Sequence, residues 1–390
     1  MAGRTYYASQ AVGLYPFGFL SEGANFSDQS DIATVAGVTY KQHLLDGVQS
    51  VGFSSNVEFE QIFELGHLQI FENIEGSPSC EATLERALPV RSKCLLEMFC
   101  ASGADYGVNM SRFGNDTGLS IRLGVNADGG VMTNIGNSST INRYGIQLDG
   151  FTSSYSISAQ TDGAVTESLG VAGINLFVIP SGTSSNAKIP QPGTSNPSGV
   201  FRRQDTFVTN RSIKTDNTVD ALGDDDYYSR VQSASINVDI GREDLLEMGR
   251  KGPYIRYASF PVEVTAEVEY AVDTTKEDGD HVMDVGGIMT RITSDTECDI
   301  TAGKGSLFEI RGSRRLGSTC QTTGNDAHKK LNTGAGTVPT FAVGISGAKL
   351  QSQNWSGGDT GGGVVTISES YTAFNNIRGV TNANGVSKPL

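Results

Sequence analysis

Histidine occurs four times and tryptophan once in 390 residues. His43, His67, His281 and His328 stand at no metal-ligand spacing to one another, and no CxxC, HExxH, GxSxG or GxxxxGK[ST] sequence is present. Zinc sites, zinc hydrolases, serine-hydrolase nucleophiles and phosphate-cradling loops therefore all lack their usual sequence signal. Cys80, Cys94, Cys100, Cys298 and Cys320 are odd in number and widely spread, which argues for free thiols made in a reducing compartment and against a secreted disulfide framework. Charged residues make up only 18% of the chain, and cations are outnumbered 29 to 43, for a net charge of −14. Tight nucleic-acid binding is driven by neutralising phosphates, so this balance argues against a strong grip on DNA or RNA but not against passage close to one. No stretch approaches the ~20 consecutive apolar residues that span a bilayer. The opening MAGRTYYASQ has no apolar core of a secretory signal. A soluble product made in a cytoplasm is the expectation.

What the chain does have is glycine (48 residues) and abundant Ser, Thr and Asn, a composition suited to β-sheet with many turns. The clearest stretch is Val231 to Val272. Ala234, Ile236, Val238 and Ile240 alternate with Ser235, Asn237 and Asp239, the period of a half-buried strand. After Gly241, REDLLEMG reads as one or two helical turns burying Leu245, Leu246 and Met248, stopped by Gly249. Alternation returns with Val262, Val264, Ala266 and Val268 against Glu263, Thr265, Glu267 and Glu269. The unit is strand, short helix, strand, with one apolar and one acidic face.

The same unit occurs 183 positions earlier, with Val48 on Val231. The copies share VQS, Glu60 with Glu243, Glu64 with Glu247, Gly66 with Gly249 and Pro78 with Pro261. A one-residue gap aligns Glu81, Thr83 and Glu85 with Glu263, Thr265 and Glu267, and Ile62, Phe63 and Leu65 match the apolar Leu245, Leu246 and Met248. A period this long makes each copy a whole domain, not a solenoid repeat. A weaker trace links the hairpin-like stretch around Thr161-Asp162-Gly163 to Phe341–Phe374. The organisation expected is a first domain over 1–180 with an N-terminal arm, a Pro/Gly/Ser-rich linker or arm over 181–199, a second domain over 200–376, and a loosely held or partner-docked tail over 377–390. Cys94 to Ala101 is left open between helix and buried strand.

Candidate chemistry is thin. GDDD at 223–226 and EDGDH at 277–281 match no EF-hand register and read as solvated acidic turns. Glu263, Glu267 and Glu269, echoed by Glu81 and Glu85, fit a repeated acidic wall better than a unique acid–base pair. Sequons at Asn25, Asn115 and Asn137 are expected by chance in so Ser/Thr-rich a chain. No enzyme activity, cofactor or metal is expected. Two similar β domains, an acidic strand face and Gly/Ser-rich arms are what a self-assembling shell or tube needs, and tandem duplication lets one chain replace two copies in a ring.

The second copy resembles the core of the tail tube (major tail) proteins of long-tailed bacteriophages. The likeness is carried by Val231-Gln232-Ser233, Arg242, Glu247-Met248-Gly249-Arg250, Gly252-Pro253-Tyr254, Arg256-Tyr257 and Pro261 to Glu267. The first copy keeps Glu64-Leu65-Gly66, Phe71-Glu72 and Glu81 to Glu85 but lacks the Arg and GPY positions. The resemblance implies a mainly β fold of two tandem sandwich or small-barrel domains, each with a short helix. It also implies a trimeric, pseudo-sixfold ring with a continuous 24-stranded barrel, stacked into a tube that conducts DNA during ejection. Partners would be further copies, the tape measure, terminator, baseplate or tip and, in a contractile tail, the sheath, with DNA passing unheld and no membrane involved. Glu64, Gly66, Phe71, Arg242, Glu247, Gly249, Arg250, Tyr254 and Arg256 become the assembly candidates. Glu81, Glu85, Asp239, Glu263, Glu267 and Glu269 become the lumen-facing ones. The alternatives are a tail terminator or neck ring, or a carbohydrate-binding or hydrolytic tail appendage.

Overall fold

The computed structural model describes residues 10–17, 31–35, 38–41, 43–63, 65–66, 70–90, 94–96, 118–126, 143–179, 190, 199–212, 228, 230–249, 252–253, 255–271, 306–313, 340–357 and 365–382. Nearly all are strand. The first half supplies β1 (Gln10–Phe17), β2 (Asp31–Val35), β3 (Val38–Lys41), β4 (His43–Leu44), β5 (Val48–Phe63), β6 (Ile70–Ala87), β7 (Gly118–Asn126), β8 (Arg143–Gln160) and β9 (Thr166–Ile179). The second supplies β10 (Thr206–Ser212), β11 (Val231–Asp239), β12 (Arg242–Leu245), β13 (Ile255–Ala258), β14 (Glu263–Ala271), β15 (Ser306–Ser313), β16 (Thr340–Ser356), β17 (Thr366–Phe374) and β18 (Ile377–Asn382). Strand pairs β2–β3 and β12–β13 are separate two-stranded ribbons, and the other 14 strands form one sheet.

Within that sheet the first half runs β5-β6-β9-β8-β7-β1 and the second β11-β14-β17-β16-β15-β10, the same order position for position. Irregularities repeat with it. The bulge between Val48 and Ser50 recurs between Val231 and Ser233, and that between Thr152 and Ser154 recurs between Leu350 and Ser352. The halves join where β11 pairs antiparallel with β8, from Ser233↔Gln160 to Asp239↔Ser154. Eight strands therefore lie edge to edge in the order β5-β6-β9-β8-β11-β14-β17-β16.

Alternation makes these strands two-faced. On β11, Ala234, Ile236 and Val238 are buried while Asn237 and Asp239 are exposed; on β14, Val264, Ala266, Val268 and Tyr270 are buried. Each Val or Ile side chain so buried contributes roughly 1.5–3 kcal/mol over leaving it in water. The long strands β8 and β16 serve two layers: residues 143–150 pair with β7, and residues 154–160 with β11. Bulges bend a strand at such a crossover. As a result Phe308 of β15 packs 5.3 Å from Tyr371 of β17 although β16 lies between them in the sheet. Buried apolar residues of both halves form one continuous cluster. Among the described residues no closed barrel forms.

The expected short helix is absent. Arg242–Leu245 is strand β12, hydrogen-bonded to β13, and Leu245, Leu246 and Met248 are 52%, 63% and 104% exposed. In the first half β5 simply continues to Phe63, and Ile62, Phe63 and Leu65 are exposed. A helix of two turns is marginal unless an apolar face packs it, and here the ladder to the returning strand satisfies the backbone instead. The alternating Val57-Glu58-Phe59-Glu60 carried that signal.

The aligned carboxylates also move. Glu85 pairs with Ser50 and Glu269 with Ser233, so Glu85 corresponds to Glu269, Thr83 to Glu267 and Glu81 to Thr265. The shift of two residues leaves every side chain on its face, and a period-two pattern cannot distinguish it. Finally, the first six residues of the tail expected to be loosely held or partner-docked are β18, laid on β16 with Ile377 fully buried.

Candidate functional site

One face of the eight-stranded run is built from hydroxyls, amides and acids. Strand β5 brings Ser50, Ser54 and Asn56, β8 brings Ser154, Ser156 and Ser158, and β16 brings Ser352, Asn354 and Ser356. All six expected wall carboxylates lie on this face: Glu81, Glu85, Asp239, Glu263 and Glu267 are exposed, and Glu269 is half-exposed. The two halves decorate it alike. Ser50 Oγ donates to Glu85 at 3.2 Å as Ser233 Oγ does to Glu269 at 3.5 Å. The hydroxyls of Ser158 and Thr166 meet at 2.8 Å as those of Ser356 and Thr366 meet at 2.7 Å. Two shallow depressions on the face are lined by these Ser, Thr, Asn and Glu side chains.

Two buried acids, Glu167 and Glu369, are held structurally. Glu167 accepts Arg86 Nε and Nη2 at 2.9 and 2.7 Å, the Tyr155 hydroxyl at 2.8 Å and the Leu95 backbone N–H at 3.1 Å, with the ion pair wholly shielded from solvent. Glu369 accepts the hydroxyls of Tyr228, Tyr371 and Tyr270 at 2.8, 2.7 and 3.0 Å. Burial first, then the neighbouring acids and phenols, push the Tyr155 and Tyr228 hydroxyls well above their ordinary pKa. Among the described residues no group of three or more His, Cys, Asp or Glu is arranged to hold a metal ion.

The assembly candidates that are described fall on two equivalent arms. One is the distal part of the β5–β6 hairpin, and the other is the β12–β13 ribbon with its turn. Gly66 and Gly249 occupy the same place in the two turns, with φ of +91° and +88°, a conformation that side chains disfavour. Beside them Leu65 and Met248 project fully into solvent. Glu247 is exposed on the same turn. Glu64, Arg250 and Tyr254 lie outside the described residues, and Phe71 is described as backbone within β6.

Arg242 and Arg256 fasten the second arm to the first half. Arg256, buried, donates Nη1 to Gly173 O at 2.8 Å and Nη2 to Asp244 at 2.6 Å. Arg242 donates Nε to Thr152 O at 2.9 Å and sits 5.3 Å from the Phe151 ring centre. Burial, with Arg256 close by, lowers the Arg242 pKa to about 10. The sequence singled out both arginines but not their acceptors, because Phe151, Thr152 and Gly173 lie in the other half of the chain.

Two strand edges of the eight-stranded run have no pairing partner among the described strands. They are β5, which pairs only with β6, and residues 349–356 of β16, which pair only with β17. Trp355, the one tryptophan, is 43% exposed on that edge.

No protein-family model matches the chain, and no curated protein does. Among solved structures, the SPP1 tail tube (a hybrid solid-state NMR and cryo-EM structure) is similar over 47% of this chain and 78% of that chain, at 17% identity and a TM-score of 0.24. So low a score carries no argument about this chain.

Proposed function

We propose that this chain is a virion structural subunit that self-assembles into stacked rings forming a phage tail tube, with no reaction of its own. The observation that carries the reading is the junction between its halves. Two similar units are already joined edge to edge through β8 and β11, and the outer edges β5 and β16 are the same two edges, left unpaired among the described strands. Open edges of this kind invite pairing with another chain, and a repeated heterologous contact closes into a ring when its rotation allows. Three chains of eight strands supply the 24 of a pseudo-sixfold barrel.

In that ring the Ser/Thr/Asn face with its six carboxylates lines the lumen. A wall of one sign repels a polyanion, so DNA is conducted without adhering. Exposed apolar side chains on the arms, Phe63, Leu65, Leu246 and Met248 among them, contact neighbouring rings or tail partners such as the terminator or tip. The test is negative-stain microscopy with native mass measurement: the reading expects striated tubes and a trimeric ring species. A chain that stays monomeric at high concentration sinks it.

A further inference from the structure

The internal junction is a template, and the repeated bulges fix how it maps onto the outer edges. Strand β11 maps onto β5 through Val231/Ser233 and Val48/Ser50, and β8 maps onto β16 through Thr152/Ser154 and Leu350/Ser352. The hydroxyl pairs Ser158–Thr166 and Ser356–Thr366 fix the second match independently. Inside the chain Ile236 opposes Ile157, both fully buried. Their counterparts are Phe53, half-buried, and Trp355, 43% exposed. The outer edges thus carry apolar side chains at the positions that the inner junction covers.

A second observation comes from the arms. The Arg242–Phe151 cation–π contact crosses the internal junction. The residue at the Arg242 position in the first half is Phe59, 61% exposed, and the residue at the Phe151 position in the second half is Lys349, also exposed. Ring and cation have changed places, so the contact is kept only if β5 and β16 meet as β11 and β8 do. The Asp244–Arg256 cross-strand pair has its counterpart in Gln61 opposite Asn73, two amides that can each donate and accept.

Resting on the self-assembly reading, we propose that β16 of one copy adds antiparallel to β5 of a second copy, with Phe53 opposite Trp355, Ser54 opposite Asn354, and Lys349 of one chain over Phe59 of the other. The Ser54/Asn354 site is a non-hydrogen-bonded pair. Its template Asn237↔Ser156 lies between ladder bonds such as Ile240 N–H to Ser153 O, and Cα atoms at such sites are ~4.5 Å apart, within disulfide reach.

The experiment is oxidative cross-linking of the full chain carrying Ser54→Cys with Asn354→Cys, alongside Ser54→Cys with Ser352→Cys or Ser356→Cys as two-residue offsets. Rings that cross-link into covalent multimers through the 54/354 pair, and at least several-fold less through either offset, support the register. Rings that form but link best at an offset, or at none of the three, overturn the register and leave self-assembly standing. No assembly of the wild-type chain overturns both. A second arm does not depend on disulfides: Lys349→Glu should raise the concentration needed to assemble by about 2- to 30-fold, as a lost cation–π contact implies. Phe59→Arg with Lys349→Phe, which recreates the internal arrangement, should restore assembly. Equal loss in the single and the swapped variant contradicts the contact.

Discussion

Removing the Arg86 guanidinium isolates a carboxylate that water does not reach. Arg86 and Glu167 are both fully buried, and Glu167 Oε2 takes two hydrogen bonds from the guanidinium while Oε1 takes one each from Tyr155 and Leu95. Arg86→Met preserves most of the stem volume but leaves a buried anion facing only neutral donors. Breaking one side of a buried pair costs about 3–5 kcal/mol. At ~1.2 °C per kcal/mol for a cooperative unit of 390 residues, thermal unfolding followed by circular dichroism should fall by roughly 4–6 °C. Adding Glu167→Gln removes the stranded charge yet keeps an oxygen for the Tyr155 hydroxyl, so the double variant should recover about 1–3 kcal/mol of the loss. By contrast Tyr228→Phe removes one of three hydroxyls on Glu369 and should cost only about 1–2 kcal/mol. An Arg86→Met protein within 1 kcal/mol of wild type, or a double variant worse than the single, refutes the reasoning.

Alkaline titration provides a further check. The Tyr155 and Tyr228 pKa values are raised above the ordinary 10.0 of the unfolded chain. Their contribution to stability is therefore full below about pH 10 and is lost as pH rises beyond it. Phenolate absorbance should show these tyrosines ionising together with unfolding; early, non-cooperative ionisation contradicts their burial. Glu263→Lys with Glu267→Lys and Glu269→Lys should leave the fold intact, because these side chains lie on the solvent face. The triple variant should retain DNA in a mobility-shift assay at low salt and release it as salt rises; retention equal to wild type argues against an acidic lumen. Gly249→Val, placing a β-branched residue at φ +88°, should cost about 1–2 kcal/mol, read as faster hydrogen exchange in the β12–β13 ribbon. Unchanged exchange there would show that the turn tolerates a side chain.

The strands were legible where one face is buried and the other is not. The alternation at Ala234–Ile240 and Val262–Val268 set both the strands and their inward faces. Leu245, Leu246 and Met248 misled because clustered apolar residues after a glycine look like a helix that buries one side. Here they stand in solvent on a ribbon held at its base by Arg242 and Arg256. The repeat was visible through VQS, Gly66 and Gly249, but its register between Glu81–Glu85 and Glu263–Glu269 is decided by cross-strand partners that a linear alignment does not contain. The open edges were illegible for the same reason. Nothing local marks Ser352–Ser356 as lacking a neighbour; that follows from the strand order alone.

Trp355 gives the most direct test of edge-to-edge self-assembly, since it is the one tryptophan and lies on the open edge of β16. Its emission should be followed as the purified chain is concentrated, with native mass and negative-stain images taken from the same samples. The expected result is a blue shift that tracks the appearance of trimeric rings and stacked tubes. Tubes that form while Trp355 stays as solvent-exposed as in the dilute chain would contradict pairing at this edge, and a monomer at every concentration would contradict the tube itself.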